Sequence, residues 1–194
     1  MMRTLIVSNL ISLDGYAAGP GGDVMALPFD TTFSDYNLEL MQAADTLVSG
    51  ATTYRGFLSY WPQIADDPAQ PEVERAISRR HRELDHLVIS DSLTAEDTGP
   101  WRNNTRIVRR DQARDAIAQA KRDEGGPLLA FGSITTWNGL LAARLIDELH
   151  IMVGAGVLVD GVPAFSVRPV GPMRLTAARQ LGDSNIALLR YSLG

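Results

Sequence analysis

The sequence predicts an α/β fold, with a mostly parallel central sheet flanked by helices and a C-terminal antiparallel hairpin at one edge. Three observations predict it. Short apolar, β-branched runs alternate with segments of helical spacing through most of the 194 residues. That alternation is what parallel strands joined by crossover helices look like in sequence. Several runs stop at a small-residue turn that opens straight into a helix, as at Phe131-Gly132-Ser133. The closing stretch instead sets two strand-like runs on either side of Gly182-Asp183-Ser184-Asn185, which reads as a hairpin.

In chain order, "TLIVSNLIS" (4–12) is a strand by its β-branched apolar content. Leu13 to Asp30 carries four glycines and two prolines and reads as a long loop, the kind that is usually a functional lid or disordered. A helix follows over 31–44, with Phe33, Tyr36, Leu40 and Met41 at helical spacing. A strand over 45–49 ends at Gly50, and a brief helix then closes at Trp61-Pro62. The segment 72–84 is a helix with an arginine-rich solvated face, and strands are expected at 86–90 and 105–109. The next helix has Asp111 as its cap and Gly125 beyond its end. A buried strand over 128–131, a helix from Ser133, a strand over 147–153 and the hairpin over 173–192 complete one expected domain, residues 1–194.

Composition narrows the function. A formal net charge of −5 argues against a nucleic-acid partner, which wants a basic face. With no cysteine, disulfides, thiol nucleophiles and cysteine metal sites are excluded. No run approaches the roughly 18 apolar residues of a membrane span. The first residues read as a strand rather than a signal peptide, and the absence of cysteine fits the expected cytoplasmic location. The three histidines have no metal-ligand spacing, and Glu148 with His150 reads as a structural pair.

In such sheets ligands sit beyond the carboxyl ends of the strands. Three strand ends share one form: Gly50 leads into Thr52 and Thr53, Ser90 into Asp91 and Ser92, and Gly132 into Ser133, Ile134 and Thr135. Serine and threonine cap helices whether or not a ligand is present. They also add donors to a helix start, whose free N–H groups suit phosphate. Both readings stand for each turn. Asp14-Gly15 is either a turn pair or a carboxyl at the mouth of an apolar cleft, where a raised pKa would suit an acid or a polar anchor. Tyr16, Met25, Phe57, Tyr60 and Trp61 are the side chains that could wall a planar substrate, although each taken singly reads first as core.

The pieces "SLDGYAA", "DTLVSGATTYRGFLSYWP", "HLVIS", "LLAFGSITTWNGLLAARLIDELHIMV" and "IALLRYSL" occur in order over nearly the whole chain. Together they resemble the dihydrofolate-reductase-like family that includes the reductase domain of the bifunctional riboflavin-biosynthesis protein. The resemblance implies a dihydrofolate-reductase-like fold, an NADPH-dependent reductase site and a homodimer. It places the cofactor pyrophosphate on Gly132, Ser133 and the helix start that follows; joined to the strand-end turns above, the expected cofactor site is Gly50, Thr52, Thr53, Ser90, Gly132, Ser133, Ile134 and Thr135, with Asp14 catalytic and Ser12, Tyr16 and Trp61 at the substrate. Two departures bear on it. Ala51 stands where the family usually has the arginine that binds the cofactor's extra phosphate, so NADH is admitted beside NADPH. Val159 and Asp160 replace glycines of a glycine run. Two functions therefore remain: a nicotinamide-dependent reductase acting on a pterin- or pyrimidine-like heterocycle, and a nucleotide-binding or regulatory module of the same fold without turnover. Flavin binding in the same cleft is a lesser third.

Overall fold

The computed structural model describes residues 2–194. Among the described residues, ten strands and five α-helices follow one another as β1 (Leu5–Ile11), β2 (Tyr16–Ala18), α1 (Thr31–Ala43), β3 (Thr46–Gly50), α2 (Ala51–Tyr60), α3 (Glu72–Glu83), β4 (Asp85–Ile89), β5 (Thr105–Val108), α4 (Ala113–Arg122), β6 (Leu128–Phe131), α5 (Ile134–Ala142), β7 (Glu148–Val153), β8 (Val162–Pro163), β9 (Met173–Gln180) and β10 (Ala187–Leu193). Eight strands form one sheet in the order β5-β4-β3-β6-β1-β7-β10-β9. The first six are parallel; β10 and β9 run antiparallel at the far edge.

Period-two burial assigns the helices to faces. Leu128 and Ala130 point to one side with Val7, Val48 and Leu149, where α4 supplies Ile117 and α5 supplies Trp137 and Leu141. Leu129 and Leu47 point to the other, against Met41 of α1 and Ile77 of α3. Covered on both faces, the central strands β3 and β6 are buried along nearly their whole length, as parallel strands between helix layers must be. β6 enters late in the chain yet lies between β3 and β1. The carboxyl ends of β3, β6 and β1 are thereby set side by side.

Three expectations are corrected. The segment 13–30 is not a plain loop: Tyr16–Ala18 pairs with Val162–Pro163 as a two-stranded antiparallel sheet, and two 3-10 turns follow. That pairing presses the backbones so close that a Cβ on Gly161 would lie 2.1 Å from the carbonyl oxygen of Ala18. Asp111 does not cap α4. A 3-10 turn over Arg110–Gln112 precedes the helix, and Gln112 takes the cap position without a side-chain bond. The hairpin turns where expected, with Leu181 N–H donating to Ile186 O at 2.9 Å. Its outer strand, however, is β9; the apolar "IALLRYSL" run lies inside, between β7 and β9.

One buried cluster lies away from the strand ends. His81 is stacked between Trp61 and Trp101 at 5.2 Å from each, and His86 stacks on Trp101 at 4.6 Å. Among the described residues, the Nδ1 atoms of both histidines find no hydrogen-bond partner. Burial holds both imidazoles below their ordinary pKa, His81 well below, and keeps them neutral. Glu148 and His150 meet as expected, at 2.9 Å, and Arg190 and Tyr36 complete their network. No helix among the described residues is long and apolar enough to cross a membrane.

Candidate functional site

Two strand-to-helix turns interlock at the centre of the sheet's carboxyl edge. The Gly50 N–H donates to Ser133 Oγ at 3.1 Å, and the Ser133 N–H donates to Thr53 Oγ1 at 3.0 Å. Gly132 and Ser133 both take left-handed backbone, with φ of 53° and 50°. Glycine adopts that geometry freely; a serine holds it here through its two cross-turn bonds. Ser133 (φ 50°, ψ 41°) leads directly into the right-handed Ile134; its own N–H is taken by Thr53, and the N–H groups that follow at the start of α5 have no intrahelical partner. Gly50 and Ser133 occupy the cap positions of α2 and α5, and neither helix has a side-chain cap. The first N–H groups of a helix have no partner within it. Two helix starts with exposed donors and positive dipole ends therefore lie adjacent, a combination that fits a pyrophosphate.

Of the sequence candidates, the structure brings Gly50, Thr53, Gly132 and Ser133 into direct mutual contact, with Ile134 half-buried and Thr52 and Thr135 exposed on the same helix starts. Gly50 is small for a reason other than ligand approach: a Cβ there would lie 2.5 Å from Thr136 Oγ1. Ser90 ends the neighbouring strand, where its Oγ accepts the N–H groups of Ser92 and Leu93 at 3.1 and 3.0 Å. Asp91 beside it accepts the Arg110 N–H at 3.1 Å, with Arg109 and Arg110 side chains at 3.9 and 3.6 Å.

Ser12, Asp14 and Tyr16 form a second group just past β1. Ser12 Oγ donates to Asp14 Oδ1 at 2.6 Å and accepts the Tyr16 N–H at 2.9 Å. The same carboxylate accepts the N–H groups of Leu158 and Val159, at 3.1 and 2.8 Å, and Tyr16 Oη donates to Val159 O at 3.2 Å. The expected raised pKa is corrected. Asp14 is exposed, and the Ser12 hydroxyl, helped by the Val159 and Leu158 amides, lowers it to about 2. At neutral pH it is a carboxylate with no proton to give.

Trp61 is not brought to this group. It packs under α3, stacked on His81, with Ser78 Oγ donating to its carbonyl at 2.5 Å. Phe57 and Tyr60 accompany it, against His81 and Trp61, and Met25 is exposed on a 3-10 turn. Sequence reasoning missed Thr136 and the 158–159 backbone, because both act across long gaps in sequence and without a distinctive side chain. Val159 carries the one local signal, a β-branched residue at φ 65° that the Asp14 and Tyr16 bonds hold in place.

A cavity of about 320 Å³ opens at the opposite end of the sheet. Its arginines and Asp45 are committed to the fold: Arg3 to Gly126 O and Thr46 Oγ1, Arg80 to Met41 O and Ala44 O, Asp45 to the Gly126 N–H. The free donors are at the carboxyl edge.

Comparison with solved structures agrees with this architecture. A Shewanella sp. PV-4 protein described as one of riboflavin biosynthesis superposes with a TM-score of 0.68 at 24% identity, over 100% of this chain and 99% of that one. RibD of Acinetobacter baumannii gives 0.69 at 15% identity, over 100% of this chain and 58% of that one. Dihydrofolate reductase of Enterococcus faecalis, solved with NADP(H), gives 0.62 at 13% identity over 100% and 99%. At these identities the likeness establishes the fold, which is dihydrofolate-reductase-like. No curated protein matches. The model of the RibD C-terminal domain matches residues 3–186, and the chain belongs to that family.

Proposed function

We propose that this chain is a reductase of the riboflavin-pathway type, which holds a nicotinamide dinucleotide across the carboxyl ends of β3, β6 and β4 and reduces a small pterin- or pyrimidine-like heterocycle beside Ser12 and Tyr16. The observation that carries it is the interlocked pair of uncapped helix starts at Gly50 and Ser133. When bound, the dinucleotide supplies the hydride. The α2 and α5 starts bind its phosphates, and the Thr53 hydroxyl, already accepting from Ser133, keeps its own proton to donate. Asp14 acts as a positioning residue: it ties the strand end of β1 to the 158–159 loop and fixes Tyr16 through Ser12. Held as a carboxylate, Asp14 has no proton to supply beside the hydride.

Fluorescence titration with NADPH and NADH tests the reading, three tryptophans serving as probes. Quenching that saturates is expected, and Gly132→Val is expected to weaken binding tenfold or more. Equal affinity in the variant, with folding verified by circular dichroism, would remove the dinucleotide from this edge.

The ionised, exposed state of Asp14 favours a second reading, a nucleotide-binding module without turnover. Saturable binding with no oxidation of NADPH or NADH across a panel of pterins and pyrimidines would select it.

A further inference from the structure

We infer that Asp91 selects the dinucleotide at its adenosine ribose, accepting a free 2′-hydroxyl in preference to a 2′-phosphate; the inference rests on the dinucleotide reading above. Position is the first argument. β4 lies directly beside β3, about 4.8 Å away by ordinary strand spacing. Asp91 follows β4 on the same edge as the Gly50 and Ser133 helix starts, one strand outward from them. A dinucleotide whose phosphates sit on those starts places the adjoining ribose within reach of the next strand end. A carboxylate near that ribose can accept the 2′-hydroxyl and repels a 2′-phosphate, the discrimination that the doubly wound dinucleotide-binding fold also uses.

Charge is the second argument. Ala51, the first residue of α2, brings no cation to the edge. The Ser90 hydroxyl is already engaged by the N–H groups of Ser92 and Leu93. Arg109 and Arg110 are the cations at hand, and both face carboxylates: Arg109 lies 3.9 Å from Asp91 and 3.8 Å from Asp111, and Arg110 lies 3.6 Å from Asp91. Each of these two cations is thus already opposed by a carboxylate. A dianionic phosphate gains little there and meets Asp91 at close range.

Geometry is the third. The Arg110 N–H fixes Asp91 Oδ1 at 3.1 Å, whereas both guanidinium contacts exceed hydrogen-bond length. The carboxylate is oriented by the backbone, half-exposed, and retains free lone pairs for a ribose hydroxyl. The two arginines hold it without consuming it.

Calorimetry with two non-reacting fragments, ADP-ribose and 2′-phospho-ADP-ribose, tests this on the full chain without relying on turnover. Wild-type protein is expected to bind ADP-ribose at least as tightly as its 2′-phosphate. Asp91→Ala is expected to weaken ADP-ribose and to tighten the 2′-phosphate, moving the ratio tenfold or more, because Arg109 and Arg110 are released. Adding Arg109→Ala and Arg110→Ala to that variant is expected to abolish the gain. Asp91 is exposed, so these variants should keep the wild-type circular dichroism. A wild-type preference above tenfold for the 2′-phosphate, or an unmoved ratio in Asp91→Ala, overturns the inference while leaving the dinucleotide reading intact. If neither fragment binds wild-type protein at millimolar concentration, the dinucleotide reading falls and Asp91's role falls with it.

Discussion

A carboxyl group held at about 2 has lost its proton far below the working range of most enzymes, and this decides what Asp14 contributes. Its three partners each need a lone pair: Ser12 Oγ, Leu158 N and Val159 N. An asparagine keeps a single oxygen, so Asp14→Asn gives up at least one of the two loop amides. Faster amide exchange at Val159 is expected, together with a turnover–pH profile unchanged in shape between pH 5 and 9. A limb of that profile that disappears in the variant would restore Asp14 as an acid. Gly132 makes a second point at this scale. A Cβ there meets only Thr53, at 3.5 Å, which is ordinary contact, but φ of +53° remains costly for any other residue. Gly132→Ala is expected to lose about 1–2 kcal/mol by urea denaturation.

The α2 and α5 starts are built as a pair, and their coupling is measurable. Gly50→Ala drives its new Cβ toward Thr136 Oγ1, on a β-branched side chain with little freedom to rotate away. The loss of stability is expected to shrink in the Thr136→Ala background; simple additivity in the double-mutant cycle would separate the two turns. The strand ends themselves were legible, since apolar runs stopping at Gly50, Ser90 and Phe131-Gly132 declare both a strand and its exit. Their cross-links were not, because the partners Gly50 and Ser133 stand 83 residues apart and only the placement of β6 brings them together. β2 and β8 escaped for a different reason: strands of three and two residues are too short to show a period. The elements on the opposite side carry a pH dependence. His81 and His86 are buried neutral, with pKa values depressed in the fold, so the unfolded chain binds more protons once pH falls below the free imidazole value of 6.5. Stability is therefore fully present above 6.5 and declines as pH falls from there. Urea midpoints recorded between pH 8 and 5 should show the decline, and a flat profile would mean that the stack opens to water in the native state.

At the scale of the molecule, the sheet ends in β5 on one side and β9 on the other. β9 leaves Met173 and Leu175 exposed, and an open strand edge with apolar side chains invites a second chain. The expected homodimer is therefore placed on β9, and light scattering after size exclusion should give about twice 21.1 kDa, falling toward the monomer in Leu175→Lys. A wild-type mass near 21.1 kDa at every concentration would exclude it. The insertion of β6 between β3 and β1 also sets a timetable for the chain's assembly. β3, β4 and β5 pair with their neighbours in sequence, so they can zip together early, whereas the sheet partners of β1 are β6 and β7, more than 120 residues downstream. Loops of that length close slowly. On the ribosome, Leu5, Val7 and Leu10 must wait with both edges of their strand unpaired until residues 128–153 have emerged. The strand that carries Ser12 at its exit is thus fixed later than its position in the sequence suggests, and pulse-labelled hydrogen exchange should find β3 and β4 protected before β1.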